Sequence, residues 1–162
     1  ESILHVASEQ EYEVGLYRPD FLQAVDGHSK ICEIGARYPI NGWMLSYYLN
    51  IISNDPTIIP LKELKSVPNQ IQFLETFYNN FNINKSVVLV HDNEKGTEIF
   101  YLLDEFRKKG LNSVSAAPQD FRLENGQVTL YGKAVSQFIL EMDREELRKF
   151  SLDVLHQIIR KG

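Results

Sequence analysis

The sequence predicts an α/β fold with a Rossmann-like βαβ unit, flanked by a β-hairpin, a β-meander and packed helices. Three observations lead to this prediction. With 43% hydrophobic and 24% charged residues, the 162-residue chain has the composition of a globular protein. The continuous apolar run from Ser86 to Val90 is typical of a strand buried in a parallel sheet. A helical pattern over 95–109 and a short strand near 113–117 follow it and complete the βαβ unit.

The first element that the residues predict is a β-hairpin between Tyr17 and Ala36. It turns at Asp26-Gly27, because glycine accepts the positive φ that a tight hairpin turn requires. Two helices follow, one over about 42–52 and one that begins near Pro68. We expect the large side chains of the first of these helices to lie in the core, namely Trp43, Met44, Tyr47, Tyr48 and Ile51.

Beyond the βαβ unit the pattern changes to a meander of three short strands. Its turns are predicted at Asn125-Gly126 and at Gly132-Lys133. A closing helix begins at Asp143, whose carboxylate caps it while Glu146 reaches back to the cap. We divide the chain into residues 1–60, which hold the hairpin, and residues 61–162, which hold the βαβ unit, the meander and the closing helix.

The charge and cysteine content exclude several classes of function. A net charge of -5 and a pI near 5.4 argue against nucleic acid as a partner. No stretch of the sequence is long and apolar enough for a membrane span. Cys32 is the only cysteine, which suits a reducing, cytoplasmic compartment, and we expect it to be a small core residue. Because the chain begins with Glu1, we expect either a processed product or a piece of a longer protein.

Two acidic residues of the hairpin are the candidates for chemistry. If Asp26-Gly27 is a two-residue loop, Asp20 lies directly opposite Glu33 on one face of the hairpin. A four-residue loop makes the two carboxylates diagonal neighbours, and a three-residue loop separates them. Like charges that face each other across strands destabilise a hairpin unless they are compensated, and Mg²⁺ is a natural compensator. The alternative is a solvated salt-bridge cluster of these two residues with Arg18.

These residues resemble a known family. The pattern Arg-x-Asp, a strand, a glycine turn and then Glu-Ile-x-Ala-Arg is similar to the metal-binding hairpin of ATP-grasp carboxylate–amine ligases. The order of the elements, with the hairpin before the βαβ unit, is similar to the circularly permuted branch that includes glutathionylspermidine synthase. The stretch over 117–135 also resembles that branch. The resemblance covers most of the chain, from about Arg18 to Leu140.

The resemblance implies a site that holds Mg²⁺ and ATP. It makes Asp20 and Glu33 the metal ligands, with Arg18 in contact with phosphate and Arg37 near the nucleotide. The βαβ unit becomes a domain of the pre-ATP-grasp type. The substrates are a small-molecule carboxylate and an amine, and the remainder of the ATP-grasp domain becomes a partner. The strand end at 91–93 is a further ligand position by analogy with open α/β sheets.

Two departures from the family pattern limit the expected activity. Gly35 stands where the family has an asparagine ligand, and the glycine-rich loop and lysines that grip ATP do not occur in the sequence. We therefore expect a fragment of an ATP-dependent peptide-type ligase that is inactive by itself. A non-catalytic binding or assembly module is the alternative, and a plain Rossmann-like nucleotide or metabolite binder is a third hypothesis.

Overall fold

The computed structural model describes residues 2–11, 18–35, 43–53, 55–57, 70–93 and 97–161 of the chain. The helices are α1 (Ile3–Ser8), α2 (Trp43–Ser53), α3 (Gln70–Tyr78), α4 (Thr97–Lys108), α5 (Arg144–Leu147) and α6 (Leu152–Lys161). The strands are β1 (Arg18–Gln23), β2 (Ser29–Gly35), β3 (Val87–Val90), β4 (Ser113–Ala116), β5 (Phe121–Glu124), β6 (Gln127–Leu130), β7 (Lys133–Ala134) and β8 (Gln137–Leu140). A 3₁₀ turn, Pro118–Asp120, leads into β5.

The described strands form three small sheets. Strands β1 and β2 pair antiparallel as a hairpin, and β5, β6 and β7 form an antiparallel meander. The third sheet has the order β4-β3-β8, and both of its pairings are parallel. The chain is therefore a mixed α/β protein with several helices, as predicted. The boundary predicted between residues 60 and 61 lies outside the described residues.

Strand β3 is the centre of the fold, because its four residues are buried on both faces of the parallel sheet. Val87 and Leu89 pack on one side with helices α2, α3 and α4. Val88 and Val90 pack on the other side with the meander and helix α6. The apolar run that predicted this strand is therefore explained by two cores that share one strand.

The last part of the predicted meander is wrong, because its third strand divides in two. Residues of β7 pair with β6, whereas β8 leaves the meander and joins β3 in the parallel sheet. The turn at Asn125-Gly126 is confirmed, with positive φ at both residues. The next turn lies at Tyr131-Gly132, where φ is again positive at both positions, one residue before the predicted place. Helix α1 was not predicted.

Only some of the side chains of helix α2 that were predicted to lie in the core do so. Trp43 is buried, and Met44 and Tyr47 pack against the same core. Tyr48 and Ile51 are exposed instead, so their assignment to the core is wrong. At about 100° per residue, Tyr48 lies about 140° around the helix from Trp43, on the flank away from it, whereas Ile51 lies only about 80° away, so its exposure does not follow from the helical spacing. The hydrophobic spacing was compatible with either flank facing inward.

The capping box of the closing helix is confirmed. Asp143 accepts hydrogen bonds from the backbone N–H groups of Glu145 (2.7 Å) and Glu146 (2.8 Å), and Glu146 Oε2 accepts from Asp143 N (3.1 Å). The helix then ends after one turn, and α6 begins at Leu152. None of the helices in the described ranges is long and apolar enough to cross a membrane.

Candidate functional site

The loop of the β1–β2 hairpin contains the predicted turn residues Asp26 and Gly27, and of the three loop lengths considered it has three residues. Ala24 N donates to His28 O (2.8 Å), and Gly27 N donates to Ala24 O (2.9 Å). Three residues, 25–27, therefore connect the strands, and Gly27 at the end of the loop has a φ of +81°. A three-residue loop was expected to separate Asp20 from Glu33.

A β-bulge at Cys32 restores the register that this loop shifts. Phe21 pairs with Ile31, whereas Asp20 pairs with Glu33, so Cys32 is the extra residue on β2. Its thiol donates to the backbone oxygen of Asp20 across the hairpin, at 3.2 Å. Cys32 is exposed, so its prediction as a core residue is wrong. Asp20 and Glu33 therefore lie opposite each other, the arrangement expected from a two-residue loop, although the loop has three residues.

The roles predicted for the hairpin's charged residues have no further support. Among the described residues there is no group of three or more histidine, cysteine, aspartate or glutamate side chains that could hold a metal ion. The backbone of Arg18 pairs with Gly35 in the hairpin, but its side chain lies outside what the structure describes. Arg37 lies outside the described residues altogether.

The opposite face of the hairpin is apolar and exposed. Phe21 lies across from Ile31, and Pro19 lies across from Ile34, so all four side chains share the face that the two carboxylates do not occupy. Phe21 and Ile31 are each 56% exposed, and Ile34 is 64% exposed. We call this set the hairpin apolar face. Leu22, which is also 64% exposed, lies on the carboxylate face.

The hairpin apolar face was not predicted from the sequence, because the bulge was not predicted. Without the extra residue, Phe21 would pair with Cys32, and Ile31 would turn to the carboxylate face with Leu22. The bulge gathers the large apolar side chains on one face. No turn or spacing signal in the sequence predicts a bulge at Cys32. A three-residue loop combined with facing Asp20 and Glu33 requires one extra residue on β2, but the loop length is not fixed by the sequence.

The strand end at 91–93, which sequence analysis offered as a ligand position, carries structural contacts. Glu146 Oε1 accepts a hydrogen bond from Asn93 N (2.8 Å), which ties this end of β3 to the capping box of α5. Lys149 forms an ion pair with Asp92, and the hydrogen bond between them raises the pKa of Lys149. These residues hold helix α5 against the carboxyl edge of the parallel sheet.

The fold and the hairpin together define a mixed α/β domain that leaves an apolar hairpin face uncovered. The chain belongs to the AnkG N-terminal domain family, whose family model matches residues 1–162. No curated protein matches the sequence.

The predicted membership of the ATP-grasp ligases is therefore wrong, because another family accounts for the whole sequence. The predictions that depended on it, an ATP-binding ligase site with magnesium and a domain of the pre-ATP-grasp type, fall with it. The motifs that suggested the ligases were short. A paired Asp20 and Glu33 across a glycine-containing loop is a geometry that many hairpins can adopt.

Proposed function

We propose that this chain is a non-catalytic binding domain that docks another protein on the hairpin apolar face. The observation that carries the proposal is the exposure of Phe21, Ile31 and Ile34 side by side on one face. Contiguous apolar patches on a protein surface are typical of interaction sites. Burying the exposed part of each of these side chains contributes on the order of 1–2 kcal/mol to binding.

The edges of the hairpin favour docking on its face over pairing with a further strand. Pro19 has no N–H group to donate to another strand, and prolines of this kind are typical of protected edges. On the other strand, the bulge at Cys32 interrupts the regular ladder of backbone groups. Both strands of the hairpin thus discourage the addition of a third strand, while its apolar face stays open.

The charges of the hairpin favour a partner with basic residues around its apolar surface. Asp20, Asp26 and Glu33 outnumber Arg18 and Lys30 in this segment, and the whole chain has a net charge of -5. Although Asp20 and Glu33 lie on the other face of the hairpin, this net negative charge attracts a basic protein surface at long range. The occupant we propose is therefore a protein with an apolar patch and a basic rim.

The parallel sheet serves this proposal as a scaffold. Strands β3 and β4 pair in parallel, with α4 between them in the chain, and β3 is buried on both faces. These features support a Rossmann-like scaffold whose role is structural. A reducing, cytoplasmic compartment is compatible with the single, exposed and free Cys32.

Site-specific photo-crosslinking tests the docking proposal. Benzoylphenylalanine replaces Ile31 on the hairpin apolar face in one variant and Leu22 on the carboxylate face in the other, which is the matched control. We expect a discrete protein adduct from position 31 but not from position 22. Equal adducts from the two positions, or none from position 31, would overturn the proposal.

The identified partner then allows a quantitative test. We expect Phe21→Ala to weaken binding about tenfold or more, since a loss of about 1.4 kcal/mol corresponds to a factor of ten. Leu22→Ala removes an apolar side chain from the other face and should leave the affinity unchanged. Raised salt should weaken binding because the net negative charge of the chain contributes to the attraction. Equal losses in the two variants would show that the face is not the docking surface.

A further inference from the structure

A groove of about 470 Å³ lies at the amino-terminal edge of the parallel sheet, away from the carboxyl edge that α5 covers. Its walls come from the turn before β3, from strands β6 and β7, from the segment that leads into β8, and from helix α6. A groove of this size accommodates a small molecule. It shares no lining residue with the hairpin.

The lining of the groove is cationic in a protein that is acidic overall. Lys85 and Lys133 are its charged residues, and no aspartate or glutamate is among the described residues that line it. Ser86, Ser136 and Gln157 add hydroxyl and amide groups that can donate hydrogen bonds. An anion that enters the groove therefore meets a lining with two lysines and further donors, and with no aspartate or glutamate among its described residues.

The floor of the groove adds an apolar surface beside the lysines. Val128 is buried, and Val135 and Phe138 are partly buried hydrophobic residues of the core beneath the meander. A ligand that fits both parts has an anionic group and an apolar body. Ammonium groups bind phosphate as point charges, whereas planar carboxylates are better matched by arginine.

The turn that carries Lys85 is fixed by the side chain of Gln137. Gln137 Oε1 accepts from Asn82 N (2.7 Å), and its amide nitrogen donates to the backbone oxygens of Asn82 (3.2 Å) and Lys85 (3.3 Å). Asn112 also donates to the Ser86 hydroxyl, at 2.7 Å. These bonds fix the backbone beside Lys85, which lowers the ordering cost of binding.

We propose that this groove binds a phosphate monoester with an apolar body, held by Lys85 and Lys133, with Gln137 as a positioning residue. The ligand chemistry is shared by soluble aryl or alkyl phosphates and by phosphomonoester lipid headgroups. The site is independent of the hairpin apolar face, so either one can fail without the other.

Titration of the full chain with phenyl phosphate, followed by ¹⁵N NMR, tests the site. We expect saturable shifts at the backbone amides of Lys85, Lys133 and Ser136. Phenol has the apolar ring but no phosphate, and inorganic phosphate has the anion but no ring. If the ligand contacts both the apolar floor and the lysines, each of them should bind at least about tenfold more weakly than phenyl phosphate. Absence of saturable shifts at these amides with phenyl phosphate, and of binding to the vesicles described below, would overturn the proposal.

Variants separate the proposed site from general attraction by charge. Lys85→Met and Lys133→Met should each weaken binding about tenfold, whereas Lys30→Met, which removes the same charge from the exposed hairpin, should leave it unchanged. Equal losses in all three variants would overturn the site. For Gln137→Leu we expect weaker binding, with amide shifts confined to the 82–85 turn. Unchanged binding in the Gln137→Leu variant would show that Gln137 is not a positioning residue.

A second arm distinguishes the source of the phosphate. Vesicles of phosphatidylcholine that contain phosphatidic acid are sedimented with the wild-type chain and with the Lys85→Met/Lys133→Met double variant. Binding to the vesicles that depends on these lysines would assign a lipid headgroup. Binding of phenyl phosphate without binding of the vesicles would assign a soluble phosphate monoester.

Discussion

The hairpin over 18–35 and the parallel sheet around β3 differ in the burial of their apolar residues. Strand β3 buries all four of its residues between two cores. No described residue of the hairpin belongs to either core, and three large apolar side chains on one of its faces are more than half exposed. Similar residue types thus stabilise the fold in one region and remain exposed to solvent in the other.

The largest effect that tests this comparison is the loss of an aromatic side chain from each region. Phe106 is fully buried and contacts the rings of Phe77, Tyr78 and Phe81. We expect Phe106→Ala to lower the free energy of unfolding by about 3–5 kcal/mol, because it leaves a cavity in the core. Phe21→Ala should lower it by less than about 0.5 kcal/mol, as at other exposed positions.

Urea unfolding of the two variants, followed by circular dichroism, measures this difference. The slope of the free energy against urea should match that of the wild type for Phe21→Ala, because the surface exposed on unfolding changes little. A loss of more than about 2 kcal/mol in Phe21→Ala would mean that the hairpin is part of the folding core. The proposal for the hairpin apolar face would then have to be abandoned.

A smaller effect comes from a matched pair of glycines. Gly27 in the hairpin loop has a φ of +81°, and Gly126 in the β5–β6 turn has a φ of +73°. A Cβ at either position meets nothing within 4 Å, so the cost of alanine is the backbone strain alone, about 1–2 kcal/mol. The two substitutions carry similar strain in two different regions.

The comparison of the two regions predicts that only one of these substitutions lowers the free energy of global unfolding. Gly126 accepts a hydrogen bond from the Gln157 side chain of α6 (2.8 Å), which links its turn to the core. We expect Gly126→Ala to lower the free energy of unfolding by about 1 kcal/mol. Gly27→Ala should instead speed hydrogen exchange of the hairpin amides and leave the urea midpoint unchanged. Equal shifts of the midpoint would show that the two regions unfold as one unit.

The regular elements of the core were predictable because local signals determine them. The apolar run of β3 and the caps at Asp143 and Glu146 are patterns of neighbouring residues, and all appear in the structure. The positive φ at Asn125 and Gly126 likewise follows from the residue types in that turn.

The parts that could not be predicted depend on contacts between distant residues. The transfer of β8 from the meander to the parallel sheet is decided by its pairing with β3, about 50 residues earlier in the chain. At the candidate site, the facing pair Asp20 and Glu33 was expected only with a two-residue loop, and the apolar surface behind it was not expected at all. One extra residue on a strand reverses which face every later side chain occupies, and no residue type identifies such a bulge.

The smallest effect concerns the ion pair between Asp92 and Lys149, which belongs to the core region. The hydrogen bond with Asp92 raises the pKa of Lys149 above its ordinary value of 10.5 in the folded chain. A cation whose pKa is raised by folding contributes stability that is fully present below the unfolded pKa. That contribution is lost as the pH rises through the folded pKa. The Lys149 side chain is 42% exposed, so solvent screens the ion pair and we expect its contribution to be the smallest of the effects compared.

Comparison of the wild type with Lys149→Met isolates this ion pair from the other groups that titrate in alkali. We expect the wild type to have the higher urea midpoint near neutral pH, and the difference to shrink above the ordinary lysine pKa of 10.5. High salt at neutral pH should shrink it as well, because the pair is accessible to solvent. A difference that stays constant through the alkaline range would mean that Lys149 acts by packing of its aliphatic chain. The attachment of α5 to the end of β3 would then rest on the bond between Glu146 and Asn93 N, which belongs to the capping box and needs no cation.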